Sequence, residues 1–286
     1  MSLTACGATS AADAHQIFTG AVETVNSTAG LDLTINSSIS IIANGQSTSM
    51  AYSATHTRQT TDGTPQSDTV IMVSAEEESQ KTEYIIDGDQ GYVMYNDDTS
   101  TMNKIASSEL EPYMSFTKLF ASFEKGAIRK VETEKTDGKT TYDITLKERK
   151  SVDLAKDYIA AYMMTSADQI NAEVSKAKVT VATDDAGQPV SFRVTLNADA
   201  WQGDATDSKL SCILFATYLI NDLGEGVSVT LPDTSMATEH DSSSGSEPKP
   251  AQTRICADSA GHSGTRTAVT AGRLSPYLVK TSPVLL

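Results

Sequence analysis

Cysteine, histidine and basic charge are all scarce in this chain, and each scarcity closes off a class of function. There are three cysteines, Cys6, Cys212 and Cys256, an odd number with no CxxC or CxxH spacing. That excludes a disulfide framework or a zinc knuckle as the organising device. The four histidines, His15, His56, His240 and His262, are scattered and form no HExxH pattern, so each reads as a surface residue. No GxSxG and no phosphate-cradling glycine loop followed by Lys-Ser/Thr is present. Asp87-Gly88-Asp89-Gln90-Gly91 hints at a calcium loop but lacks the later acidic ligand, and a hairpin turn is the better reading. The expectation is therefore no catalytic residue, no metal ligand, no cofactor and no enzyme.

Basic residues number 22 against 37 acidic ones, a net charge of −15 and a pI near 4.6. A protein so acidic is repelled by nucleic acid and by anionic membrane surfaces as a whole. The charge is uneven: from Asp241 onward there are five basic and three acidic residues, which leaves 17 and 34 before that point. No run approaches the roughly 18 apolar residues of a membrane-spanning helix. The residues ahead of Cys6 show neither a charged n-region nor an apolar h-region. Aromatics are only 6%, so Val, Ile, Leu, Met and Ala must build most of any core.

What is present is a change of hydrophobic period along the chain. Ser10-Ala11-Ala12-Asp13 fits a helix-capping box, and Ile17, Phe18, Ala21, Val22 and Val25 then recur at helical spacing. From Leu31 the period becomes two. Leu31, Leu33, Ile35, Ile39 and Ile41 are apolar, and the residues between them are polar, as in a strand with one wet and one dry face. Asn44-Gly45 predicts a type I′ hairpin turn. Further strands read at Met50–Thr57, Val70–Val73, Tyr84–Ile86 and Tyr92–Tyr95, separated by Asp62-Gly63 and Asp87-Gly88. This is a meander.

Two apolar helices then interrupt. Ser108-Glu109-Leu110-Glu111 predicts one, running through Met114, Phe116, Leu119, Phe120 and Phe123 to Gly126. Ser151 predicts the cap of another, with Leu154, Tyr158, Ile159, Tyr162 and Met163. A hairpin about Asp137-Gly138 lies between them. Strands resume around Val179 and Val194. Leu210–Ile220 is apolar on both faces and reads as the best-buried strand, and Val227–Leu231 as a short last one. Cys212 reads as a small core residue. The fold class is α+β, a curved antiparallel sheet of about ten strands wrapped around two to three helices. The domain comprises residues 10–233, preceded by a short tether (1–9) and followed by a low-complexity tail (234–286) whose composition predicts disorder.

Adaptable apolar residues are concentrated around the helices. Tyr92, Met94, Tyr113, Met114, Phe116, Phe120, Tyr158, Tyr162 and Met163 suit a pocket for a flexible apolar ligand, and equally suit plain core packing.

The segment Leu3-Thr4-Ala5-Cys6-Gly7 resembles the lipobox of bacterial lipoproteins, with Cys6 as the lipid-anchored residue. Together with the N-terminal helix, the meander ending in "DGDQGYVMYNDDTSTMNKI", the apolar helices and the terminal "GEGVSVTLP", it resembles the LolA/LolB–LppX/LprG lipoprotein-carrier superfamily, in its poorly characterised Gram-positive branch. The resemblance covers about Ser10 to Asp233. It implies a half-barrel sheet around helices, a cavity for acyl chains and no catalytic residues. It also implies an extracytoplasmic, lipid-anchored monomer of the cell envelope, whose partners are a lipid or other apolar ligand and the membrane through Cys6. The alternative reading is a surface lipoprotein of the same fold with a filled core, acting as a sensor or protein-interaction module.

Overall fold

A computed structural model describes residues 9–75, 78–203, 209–235 and 237–239. Cys6, Cys256, His240, His262 and most of the 234–286 tail lie outside the described residues, as does the proposed tether up to residue 8.

Helix α1 (Ala11–Ser27) opens as the sequence predicts. The Ser10 hydroxyl accepts the Asp13 backbone N–H at 3.1 Å and donates to the Asp13 carboxylate at 2.7 Å. Six strands follow in hairpin succession: β1 (Gly30–Ala43), β2 (Gln46–Thr61), β3 (Thr64–Ala75), β4 (Glu78–Asp87), β5 (Gln90–Tyr95) and β6 (Asp98–Ala106). The β1–β2 turn has positive φ at both Asn44 and Gly45, as a type I′ turn requires. Sequence reading missed β6, because DTSTMNKIA contains too few apolar residues to show a period.

A short helix α2 (Ser107–Leu110) and an irregular stretch lead to β7 (Ile128–Thr136) and β8 (Lys139–Leu146). Helix α3 (Val152–Met163) comes next, then β9 (Ile170–Asp184), β10 (Pro189–Gln202) and β11 (Leu210–Leu223). A two-residue β12 (Thr238–Glu239) pairs in parallel with β6 at Asn103 and Lys104. Eleven strands are antiparallel in one open, curved sheet that does not close into a barrel. Val227–Leu231, expected as a strand, is irregular chain.

The strand order is β12-β6-β5-β4-β3-β2-β1-β11-β10-β9-β8-β7. Two meanders are thus joined along one seam, the β1–β11 pair, in register from Leu31↔Leu223 to Ile42↔Ser211. Strands β6 and β7 are neighbours in sequence but lie at opposite edges. The 21 residues 107–127 must therefore cross the whole concave side.

This topology overturns the helix expected over 108–125. Ten strand-to-strand steps span about 48 Å along the arc, which is an upper bound on the straight path across the concave side. A 21-residue helix would reach only about 32 Å, whereas extended chain reaches about 70 Å. Pro112 also lacks the N–H that an interior helical position needs. The helix stops at Leu110, 3₁₀ turns form at Ser115–Thr117 and Lys125–Ala127, and the rest is irregular chain. The Ser108 capping box does not form: the residue preceding α2 is Ala106, without a side-chain cap. At α3, Ser151 is in the cap position, but its hydroxyl donates backwards to the carbonyls of Lys147 and Glu148.

The core fills the concave side. Alternate residues Leu33, Ile35 and Ile39 of β1, Val179 and Val181 of β9, Phe192 and Val194 of β10, and Leu214 and Tyr218 of β11 point inward and are almost fully buried. They meet Phe18, Val22 and Val25 of α1 and Leu154, Tyr158, Ile159 and Tyr162 of α3. Only one face of β11 is buried, which corrects the expectation of two. Cys212, Leu214, Ala216 and Tyr218 point in, while Ile213, Phe215 and Leu219 are each more than 40% exposed on the outer face.

Candidate functional site

The crossing segment 107–127 and α3 form the layer that faces the concave sheet, and most sequence-selected residues lie there. Leu110, Met114, Phe116, Leu119 and Phe123 of the crossing segment are buried against the sheet. Tyr113 stacks in parallel on Tyr84 of β4, with ring centres 5.9 Å apart. Phe116 packs against Tyr52 of β2 and Tyr162 of α3, and Tyr162 meets Tyr52 edge-on at 5.4 Å. Phe120 meets Tyr158 edge-on at 5.1 Å and is half-buried, as is Met163.

Irregular backbone buried in a core must find hydrogen-bond partners outside any helix or strand. Side chains of the surrounding elements supply them. The Asn26 amide donates to the Leu119 carbonyl at 2.8 Å and accepts the Leu119 N–H at 3.3 Å. The Tyr158 hydroxyl accepts the Phe120 N–H at 3.2 Å. The Tyr218 hydroxyl donates to the Phe116 carbonyl at 3.2 Å. A ring nitrogen of His15 lies 2.9 Å from the Phe123 carbonyl, and the Ser115 hydroxyl donates to the Ala161 carbonyl at 3.0 Å. Burial raises the phenol pKa of Tyr52 to about 12 and pushes those of Tyr158, Tyr162 and Tyr218 upward, so all four stay protonated donors.

Tyr92 and Met94 do not join this group. They lie on the outer face of β5, where Met94, Ile85 and Met102 form a separate small cluster, with Tyr92, Leu231 and Ala237 packed on it. Period two in β5 sends Val93 to the main core and its two neighbours to the other side. The chain after β11 runs across this outer face: the Val229 N–H donates to the Gln59 side chain, and β12 ends beside β6.

Among the described residues, the free space beside Phe116 is small. A gap of about 20 Å³ lies beside Phe116, lined by Tyr52, Ile71, Val73, Tyr84 and Met164 with a few polar neighbours. That volume suits at most a single water. A larger cleft of about 480 Å³ lies elsewhere, along α1.

Two residues that sequence reading placed on the surface belong to the interior. His56 of β2 is buried, with Nδ1 2.8 Å from the Thr69 hydroxyl, which in turn contacts the Met114 sulfur at 3.4 Å. Burial, aided by the nearby Arg58, lowers its pKa to about 3, so it is a neutral histidine. Its inward position was legible in the alternation Tyr52, Ala54, His56. His15 is half-buried against Phe123, edge-on at 5.5 Å. Cys212 is buried as expected, and burial pushes its thiol up to about 11. Among the described residues no group of three or more His, Cys, Asp or Glu side chains is placed to hold a metal.

No protein-family model matches the chain, and no curated protein is matched. Among solved structures, the chain is similar to LprF from Mycobacterium bovis, with 12% identity over 80% of this chain and 99% of that one, at a TM-score of 0.42. A DUF1329 family protein from Desulfovibrio piger is matched over 78% of this chain and 96% of its own, with 11% identity and a TM-score of 0.24. The ywiB protein of Bacillus subtilis is matched over 69% and 97%, with 10% identity and a TM-score of 0.19.

Proposed function

We propose that this chain is a non-catalytic binding protein that takes an apolar ligand, a lipid or acyl chain, on the concave side of its sheet by displacing the crossing segment. One observation carries the reading: alongside α1 and α3, residues 111–124 cross the concave sheet as a largely irregular apolar strap rather than a continuous helix. The strap is held by short turn hydrogen bonds of its own and by the side chains of Asn26, Tyr158 and Tyr218, and a small gap lies beside Phe116. Such a segment opens at lower free energy than a hydrogen-bonded helix or strand. Tyr113, Met114, Phe116, Phe120, Tyr158, Tyr162 and Met163 then line the ligand. Tyr92 and Met94 have no part in it. In this reading Cys6 anchors the protein by lipid on the outer side of a bacterial cell membrane, and the protein works there as a monomer.

The test is native mass spectrometry of protein taken from its host, with organic extraction, alongside titration with cis-parinaric acid. Bound lipid and saturable probe fluorescence that falls at least tenfold in affinity in Phe116→Asp support the reading. No extractable lipid and no saturable binding overturn it. Incorporation of labelled palmitate that is lost in Cys6→Ala tests the anchor separately.

A second reading rests on a different observation. Ile213, Phe215 and Leu219 form an exposed apolar row on the outer face of β11, flanked by Ser38 and Thr195 across the ladder from Phe215. A filled-core interaction module would use such a row against a protein partner. Loss of a co-purifying partner in Phe215→Asp, with parinaric acid binding absent, would favour it.

A further inference from the structure

The cleft along α1 is separate from the concave site and has a different chemistry. It lies where the outer flank of α1 meets the ends of β8, β9 and β10, and its volume is about 480 Å³. That falls within the range of roughly 300–1,000 Å³ typical of small-molecule sites. Its floor contains Gly20, near the middle of a 17-residue helix. Glycine there destabilises a helix by about 0.5–1 kcal/mol relative to alanine. Nothing in the fold calls for it: a Cβ at this position would meet no atom within 4 Å, and its φ is not positive. A side chain at this position would project into the open space beside the cleft.

The walls combine apolar faces with hydrogen-bonding groups. The half-buried Tyr142 supplies apolar surface, with Ile17 beside it and the buried Pro189 behind. Gln16 and Gln188 are exposed at the rim, and no other described residue engages either side-chain amide. Among the described residues that line the cleft, Asp13 is the one that carries charge. Two free amides, a phenol and a carboxylate can donate to and accept from several hydroxyls at once. A tyrosine ring suits the C–H face of a sugar ring. The carboxylate and the net charge of −15 disfavour phosphorylated or acidic ligands, and the polar rim disfavours an acyl chain.

We infer that this cleft binds an uncharged, polyhydroxylated ligand, a short neutral oligosaccharide. The experiment is an array of immobilised neutral, amino and uronic-acid oligosaccharides, probed with labelled full-length protein and followed by calorimetry on the best neutral glycan. Gly20→Leu fills the floor while improving helix propensity, so it retains or raises the thermal midpoint; Tyr142→Ala removes the stacking face. The expected result is retention of neutral glycans, with affinity at least tenfold lower in both variants and parinaric acid binding unchanged in Gly20→Leu. Retention of no glycan, preference for acidic glycans, or wild-type affinity in Gly20→Leu would each overturn the inference.

Discussion

His56 shows how one buried side chain couples stability to pH. In the unfolded chain it titrates near 6.5, and in the fold near 3. Below about pH 6.5 the unfolded state therefore binds a proton that the folded state refuses. Stability is full above that pH and falls as pH drops towards 3, with a slope of up to about 1.4 kcal/mol per unit. Asp68 and Glu83, whose carboxyl pKa values are raised mainly by burial, act in the opposite direction as pH rises through their range. Comparing wild type with His56→Gln isolates the histidine. Urea midpoints measured from pH 7.5 to 4.5 should fall less steeply in the variant, and parallel curves would refute the assignment. Tyr218 offers a second single-group test. Tyr218→Phe leaves the buried Phe116 carbonyl without its donor, at a cost of about 1–3 kcal/mol, read as a lower urea midpoint at unchanged m-value.

Individual elements carry their own consequences. At the start of β1, Gly30 faces the chain just after β11, where its carbonyl accepts the Gly224 N–H at 2.9 Å. A Cβ on Gly30 would lie 2.1 Å from the Gly224 carbonyl oxygen, and that oxygen is backbone and cannot swing aside. Gly30→Ala should therefore cost about 2 kcal/mol or more and lower the thermal midpoint by several degrees, whereas Gly20→Ala should raise it. The chain that follows β11 covers Ile85, Met94 and Met102 on the outer face. A chain ended after Gly226 should expose that cluster, bind more of the dye ANS and aggregate at lower temperature, as scattering on heating would show. α1 ends on a different device: the Arg58 guanidinium donates to the Val25 and Asn26 carbonyls, placing positive charge at the negative end of the helix dipole.

At the scale of the molecule, the seam dominates. β1 and β11 pair residues about 170 to 190 positions apart, and the inner face of the joined sheet is covered by α1, α3 and the crossing segment together. Non-local pairing of this kind folds slowly. Stopped-flow refolding should proceed on the scale of milliseconds to seconds rather than microseconds. Ligand entry by displacement of the crossing segment should change limited proteolysis within residues 111–124 while leaving α3 protected. Cleavage patterns that are identical with and without saturating parinaric acid would argue against displacement.

Most strands and turns were legible because they are local, β6 being the exception for want of apolar residues. Period two places Leu33, Ile35 and Ile39 on one face whatever the rest of the chain does, and Asn44-Gly45 needs only its own backbone to turn. Ser10 likewise caps α1 through contacts three residues away. The amino-acid sequence by itself thus determined an α+β chain of hairpins with an amphipathic first helix. It could not decide what residues 107–127 become, since their apolar spacing fits a helix and only the placement of β6 and β7 at opposite edges stretches them into a crossing strap. Nor could it separate Tyr92 and Met94 from Phe116 and Tyr162, because the face of a strand that meets the helices is set by its neighbours' register. Apolar on both faces in sequence, β11 is buried on one, because helices cover the concave side of the sheet and leave Ile213, Phe215 and Leu219 on the other. These outcomes depend on which strand pairs with which across long stretches of chain, and that is information the tertiary structure alone contains.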